Sequence, residues 1–540
     1  MRRIHSEYLV KYVIALAVAA CFASASGHAQ VQAPVLKWAY GGCFSSWCQT
    51  GWYSSAATVD VDGDGRADVV AGSYDVVALD GIDGSLKWRA PSEDRVWPGI
   101  AIGDLAGDGQ VGIIVGRSGP SVTVYNLDGS VRSGWPVSAF ASGEVRSLAL
   151  ADLDANGKLE VVVGNAASVS SNQVNVLAAN GSVRAGWPAR HPADPGYGAG
   201  MYNENLAIAD VDGDGYPEIF APTDTHYVTA LDRNGGQIRA NAMYGTSSSG
   251  SGSKFWSEVG VNVDQTADLR GYTECDTERR PNFASSAPAI ADVDGDHVPE
   301  LVLPGNVYNC STDPYTDLYY DVWLLRGDRT RWAAGPYDWT VIPAQGASGA
   351  PLSEDYNQIQ NIAANAVVAD LDGDHRLEIL LPSYDGKLHA WWLDKTEHYS
   401  WPFVIPGAGM HFASEPVVAD LDDDGKPEVL FASWGQNDNG ESGRLYVLNY
   451  KGELLYAVAL PPARGGSWSG GLAAPTLADI DGDGELEAIV VTSDAGVVAF
   501  DLPGTRFART LWPTGRGSYR RTGVAFNERI LADGFGGPGG

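Results

Sequence analysis

The feature that most limits what this chain can become is a short acidic unit that returns eight times, always between two apolar runs. Ala287-Pro288-Ala289-Ile290-Ala291-Asp292-Val293-Asp294-Gly295-Asp296 is echoed by Ala474-Pro475-Thr476-Leu477-Ala478-Asp479-Ile480-Asp481-Gly482-Asp483. The leading aspartates are Asp60, Asp104, Asp152, Asp210, Asp292, Asp370, Asp420 and Asp479, spaced 44 to 82 residues apart. The shorter spacings suit a four-stranded propeller blade, and repetition at such a period implies one supersecondary unit per copy. It overrides the several domains that length alone would suggest.

Each copy spells four strands. A short apolar run enters the acidic loop (Asn205–Ala209, Glu415–Ala419) and a second leaves it (Val161–Gly164, Glu378–Leu381, Glu428–Phe431). A third ends in a turn, as Val122–Tyr125 does before Asp128-Gly129. A fourth carries tryptophan, as in Gly134-Trp135-Pro136, Gly186-Trp187-Pro188 and Leu511-Trp512-Pro513. β-branched and aromatic runs punctuated by Gly, Asp and Asn are hairpin signals, and no convincing helical periodicity interrupts them. Radial closure would deal with the open edges of so many antiparallel sheets. The expected fold is all-β: a propeller of eight four-stranded blades, or alternatively seven, over residues 30–526. Leu36-Lys37-Trp38 echoes Leu86-Lys87-Trp88, so the N-terminal strand is expected to close the ring near Thr510-Leu511-Trp512. The tryptophans are read as packing between blades rather than as sugar platforms.

Asp210-Val211-Asp212-Gly213-Asp214-Gly215-Tyr216-Pro217-Glu218 places carboxylates at positions one, three, five and nine. Such a loop can converge its oxygens on one point, with a carbonyl at position seven, and an oxygen-only shell suits calcium. Zinc would want His or Cys. The same ligand set recurs as Asp60, Asp62, Asp64 and Asp68; as Asp152, Asp154, Asn156 and Glu160; and as Asp292, Asp294, Asp296 and Glu300. It recurs again as Asp370, Asp372, Asp374 and Glu378; as Asp420, Asp422, Asp424 and Glu428; and as Asp479, Asp481, Asp483 and Glu487. About seven calcium ions are therefore expected. His297 and His375 replace a glycine where a left-handed backbone is needed, which His tolerates better than most residues. The loop at Asp104 has Ala106 and Gly112 at positions three and nine, so it is expected to fold without a strong ion.

These loops resemble the FG-GAP (VCBS) repeats, the propeller unit of integrin α-subunits and of many secreted bacterial proteins. The resemblance implies calcium in the loop between the first and second strands of each blade. It spans adhesion, lectin-like binding and some polysaccharide lyases, so it leaves function open.

The formal charge is −31, or −33 once a signal with three basic residues and one acidic residue is removed, and this argues against nucleic acid and anionic membrane as partners. Residues 1–29 read as that export signal: Arg2, Arg3 and Lys11 precede a short apolar run, and Gly27-His28-Ala29 suits cleavage. Val18-Ala19-Ala20-Cys21 alternatively reads as a lipobox that would anchor the chain at Cys21. The expected location is thus secreted, periplasmic or cell-surface, and residues 527–540 form a Gly-rich tail.

Insertions at 243–285, 307–321 and 342–362 fall on the face opposite the acidic loops, where ligand contacts are expected. Of their aromatics, Trp256, Tyr315 and Tyr320 are the candidate ligand-binding residues, with loop cores as the competing reading. Cys275 and Cys310 flank one hairpin and form a sensible disulfide, leaving Cys43 for Cys48, although four cysteines allow three pairings. No catalytic residue is nominated: no zinc-protease spacing or nucleophile elbow is present, and Arg326-Gly327-Asp328 sits in an ordinary turn. The functional expectation is a monomeric calcium-binding module for an extracellular glycan or protein. The alternative is a polysaccharide lyase on the same scaffold.

Overall fold

The computed structural model describes residues 31–525 apart from 42, 45–46, 49, 92, 168–170, 199, 313–314, 345–348, 360–364, 438–441, 463 and 465–466. The signal segment with Cys21 and the tail 527–540 lie outside the described residues, as do the side chains of Cys43 and Tyr356. No helix among the described residues is long and apolar enough to cross a membrane.

The chain is an all-β propeller. The first blade pairs Ala57–Val59, Asp68–Gly72, Val76–Leu79 and Leu86–Ala90 in order, and all its pairings are antiparallel. In each blade the inner strand runs into the acidic loop and the second strand, buried on both faces, leaves it. From Ala57–Val59 to Val367–Ala369 the inner strands of successive blades touch in chain order, and Arg509–Trp512 lies between Val367–Ala369 and the next inner strand, Val417–Asp420. The expected eight four-stranded blades are not what forms; the alternative of seven is matched. Seven sheets of three or four strands stand alone, and the strands carrying the Asp420 repeat are fused into one seven-stranded sheet. Two of the seven keep three strands, their fourth reduced to the bridges Val174↔Ala189 and Leu231↔Gln237. The large sheet arises because Glu428–Gln436 runs past its blade and pairs with His411–Ala413 and Trp468–Gly470 as well.

Packing between blades explains the tryptophans. The Trp38 indole donates to the Gly81 carbonyl at 2.8 Å, and Trp88 does the same to Leu127 at 2.8 Å. Each indole therefore reaches the next blade. There it lies on the turn glycine: a Cβ on Gly129 would stand 2.8 Å from the Trp88 ring, and one on Gly452 would stand 2.8 Å from Trp401. Gly129 also holds φ +81°. Gly129→Ala should accordingly cost about 2–3 kcal/mol, combining left-handed strain with displacement of a packed ring. Denaturant unfolding checks this; a shift no larger than that of an exposed surface substitution would refute it.

The N-terminal strand closes the last blade, but Val35–Tyr40 pairs with Gly496–Leu502 and not beside Thr510-Leu511-Trp512 as expected. The expectation for Leu511-Trp512-Pro513 is overturned. Arg509–Trp512 is not an outer strand but pairs with the inner strand Val417–Asp420. From there residues 513–525 thread the axis. Backbone N–H groups of Leu477, Ile102, Leu150, Ile208 and Ile290 donate to the carbonyls of Pro513, Tyr519, Arg520, Thr522 and Gly523. Inner strands present a row of unpaired groups toward the axis, and this segment satisfies them.

The insertions are built structure. Residues 307–321 extend a hairpin between Glu300–Asn309 and Thr316–Leu325, pinned by the Cys275–Cys310 disulfide. Backbone pairing sets Cys43 opposite Cys48, and Cys48 is disulfide-bonded. The first insertion contains a helix, Gln265–Arg270, which the Asp264 carboxylate caps by accepting the Ala267 N–H. Six residues make fewer than two turns, too short for a periodic signature in sequence.

Candidate functional sites at the two ends of the axis

The acidic loops share one geometry. In the first, Asp60 accepts from the N–H groups of Gly63 at 2.7 Å and Gly65 at 2.8 Å, while Asp68 accepts from Val61 at 2.9 Å. Position one thus winds the loop, and position nine ties its second strand back to its start. Glu218, Glu300, Glu378, Glu428 and Glu487 repeat the position-nine bond onto Val211, Val293, Leu371, Leu421 and Ile480. The left-handed positions are where the sequence puts them, with Gly65 at φ +87°, His297 at +71° and His375 at +68°.

The donor set fits a hard dication. Carboxylate oxygens of Asp60, Asp62 and Asp68 lie within 4.8 Å of one another, as do those of Asp152, Asp154 and Glu160, of Asp210, Asp212 and Glu218, and of Asp292, Asp294 and Glu300. Oδ1 of Asp154 is buried with no hydrogen-bond partner. Burial, reinforced by the aspartates beside each group, pushes Glu218 up to about 7, Glu300 and Glu428 to about 8, and Glu378 to about 9. Burial is the main cause of each shift, and a cation bound among these oxygens would oppose it.

The loop at Asp104 keeps the backbone pattern, its carboxylate accepting from Gly107 and Gly109 at 2.9 and 2.6 Å, without the acids at three and nine. Ala106→Asp with Gly112→Glu should therefore add one bound ion. A Cβ at 112 would meet the Arg132 guanidinium at 3.0 Å and Val124 Cγ1 at 3.1 Å, so Arg132 must shift from its bonds to Val111 and Asn126 to admit the glutamate. Metal analysis of dialysed protein checks this; an unchanged ion content would count against it.

At the opposite end of the axis is a cavity of about 600 Å³. Its wall comes from residues that precede the inner strands: Tyr53, Trp97, Tyr202, Glu204, Asn365 and Glu415. Arg146 lies 3.8 Å over the Trp97 ring and 5.6 Å from that of Tyr202. Arg95 lies 4.7 Å from Trp97 and 5.3 Å from Trp52. Guanidiniums stacked between indoles and phenols make a stiff, amphipathic rim. Asn306 adds a buried Oδ1 that has no hydrogen-bond partner.

The floor is the axial segment. Glu415 accepts from the Trp512 indole at 3.0 Å and the Arg516 N–H at 2.7 Å, and Asn365 donates to it at 2.6 Å. Burial and the neighbouring Glu415 raise Glu204, against the pull of Arg521 and Arg516.

Of the candidate ligand-binding aromatics, only Tyr315 reaches this mouth, at 40% exposure and with its ring 4.2 Å from Tyr308. Trp256 is buried against Phe220, and Tyr320 is buried against Tyr384. Both are cores of their insertions, because long loops on a propeller rim must bury apolar area of their own. The rim that sequence reasoning missed had one signal: aromatic residues Tyr53 and Trp97 each stand four residues ahead of an inner strand.

Residues 370–431 and 420–490 match the model of an FG-GAP-like repeat. This part of the chain consists of FG-GAP-like repeats, and the same loop geometry recurs around the remaining blades. No curated protein matches the chain. Among solved structures it is similar to the V. cholerae biofilm matrix protein Bap1, at 14% identity and TM-score 0.49, covering 88% of this chain and 92% of that one. It is similar also to the exotype rhamnogalacturonan lyase YesX, at 16% identity and TM-score 0.47 over 84% and 72%. BamB from Moraxella catarrhalis matches at 15% identity and TM-score 0.42 over 83% and 99%.

Proposed function

We propose that this chain is an exported propeller, organised by calcium in seven of its acidic loops, that binds an extracellular glycan or protein at the axial mouth. Positions one, three, five and nine would hold each ion, which would neutralise the clustered acids and fix the turn between two strands. The mouth supports binding because its aromatic and guanidinium groups are already ordered against each other, so little side-chain entropy is lost when a ligand arrives. That stacked rim, with Arg146 over Trp97, is the observation that carries the reading.

Turnover is the weaker reading. A lyase needs a base poised at the mouth, and burial raises the phenols of Tyr53 and Tyr202 instead. Glycan-array binding by calcium-loaded protein, reduced at least about tenfold in Trp97→Ala and Arg146→Ala, is the expected result, the scale of an anchoring aromatic or arginine. Undiminished binding by both variants would move the site elsewhere. An unsaturated-uronate chromophore on incubation with acidic polysaccharides would establish lyase chemistry in its place.

A further inference from the structure

We infer that the acidic loops form two arcs of different calcium affinity, because in one arc a basic side chain of the outer strand already occupies the carboxylates that the ion needs. This rests on the calcium reading above.

Three loops carry such a side chain. Lys37 Nζ lies 2.6 Å from Asp481 and 3.6 Å from Glu487. Lys87 Nζ lies 2.5 Å from Asp62 and 3.2 Å from Asp68. Arg184 lies 2.9 Å from Asp154 and 3.4 Å from Glu160. In each case the contacts are to positions three and nine of the loop. These cations are only 13 to 17% exposed, so solvent screens them poorly.

The pattern belongs to one place in the blade. Lys87 and Arg184 follow the turn between third and fourth strands, Lys37 holds the matching place on the N-terminal strand that completes the last blade, and Arg132 stands there too, beside the loop at Asp104 that has lost positions three and nine. The N–H groups of Arg132 and Arg184 donate to Val124 and Val176 just as those of Ile238 and Trp332 donate to Ala230 and Leu324 in later blades. There the basic residue has been replaced by an apolar one. At Asp372 the neighbour is a neutral donor, the Trp392 indole at 3.0 Å. The loop at Asp420 meets Arg509 at its first carboxylate, 2.9 Å away, and belongs to neither arc. Because the N-terminal strand completes the last blade, the loops at Asp479, Asp60, Asp104 and Asp152 are neighbours around the ring.

A calcium ion entering the first arc must displace the ammonium or guanidinium or sit beside it, and either lowers affinity. The same cation holds those loops together when calcium is absent. Among the described residues no outer-strand cation pairs with positions three and nine of the loops at Asp210, Asp292 and Asp370; Arg376 reaches only the position-five Asp374, at 3.3 Å, so these loops depend on the metal.

The test is equilibrium dialysis of the full chain against radioactive calcium, beginning from loaded protein and lowering free calcium stepwise, with circular dichroism followed alongside. Two classes of ions are expected, with three ions leaving first. Lys87→Met and, separately, Arg184→Met should each move one ion into the tighter class, by about tenfold in affinity or more, the scale of one close charge pair. Asp212→Asn should remove an ion from the tighter class. A single class of ions, or weaker binding in both Met variants, would overturn the division while leaving calcium binding intact. No bound ion at millimolar calcium would overturn the calcium reading itself, and the division with it.

Discussion

Arg521→Met should destabilise the calcium-loaded propeller by about 3–5 kcal/mol, the range for removing one partner from a buried charged network. The guanidinium is fully buried and bonds to the carbonyls of Ile100 at 2.7 Å, Ala56 at 3.0 Å and Gly515 at 2.7 Å, and to the Thr514 hydroxyl at 2.9 Å. Methionine fills the space but takes the guanidinium donors from the Ile100 and Gly515 carbonyls, while Ala56 and Thr514 keep the Thr476 hydroxyl, and a buried acceptor without a partner keeps its full desolvation cost. Glu204 would lose part of the positive field that opposes its burial. Arg521 links the first and second blades to the axial segment, so the loss should appear as a lower unfolding midpoint for the whole ring. Phe507→Ala, at a ring 74% exposed, is the control and should change little. Equal midpoints for the two variants would mean that the axial segment is an appendage and not part of the fold.

Chelation should have the largest effect of any solution condition. Each ion binds the folded loop and scarcely the unfolded one, so a site at a thousandfold excess over its Kd contributes about 4 kcal/mol. Several such sites together exceed the 5–15 kcal/mol typical of a whole domain, so the metal-free chain should melt many degrees lower. The effect should also depend on pH. The position-nine glutamates titrate near 4.5 when unfolded, but in the folded, metal-free chain burial and neighbouring aspartates raise Glu218 to about 7 and Glu300 to about 8. Between those values the folded state holds more protons than the unfolded one, so metal-free stability falls as pH rises through this window. Thermal melts in chelator should accordingly be lower at about pH 8 than at about pH 5, with the gap closing in calcium. A melting curve indifferent to chelator at both values would show that the acids are solvated turns.

The parts that were legible in the sequence are those whose partners are near in the chain. Asp60 closes its own loop on Gly63 and Gly65, within five residues, so the carboxylate spacing carried the geometry without any fold. Trp88 and Gly129 were legible as a repeat, although only the structure reveals that the glycine is there to receive the preceding blade's indole. Cys275 and Cys310 could be paired because one hairpin separates them.

The axial segment was not legible, since its partners are scattered. Arg521 meets Ile100 across 421 residues, and Leu511-Trp512-Pro513 spells the same letters as an outer strand. Pattern assigned it to the rim; hydrogen-bonding demand along the inner strands drew it to the axis. The fused sheet escaped for a related reason, since nothing in Glu428–Gln436 announces that its far end will accept strands from both sides. Trp256 and Tyr320 read as candidates for a ligand because aromatic residues in long insertions are ambiguous until their burial is known.

By itself, then, the sequence determined the repeating all-β unit, the acidic loops and the disulfide of the long hairpin, because each depends on contacts a few dozen residues apart at most. Only the tertiary structure decided what fills the axis and which side chains meet at its mouth. Tyr53, Trp97, Arg146 and Tyr202 belong to different blades and carry no shared motif. Closing the ring places their ends around one point, and that convergence is a property of the circle and not of any repeat within it.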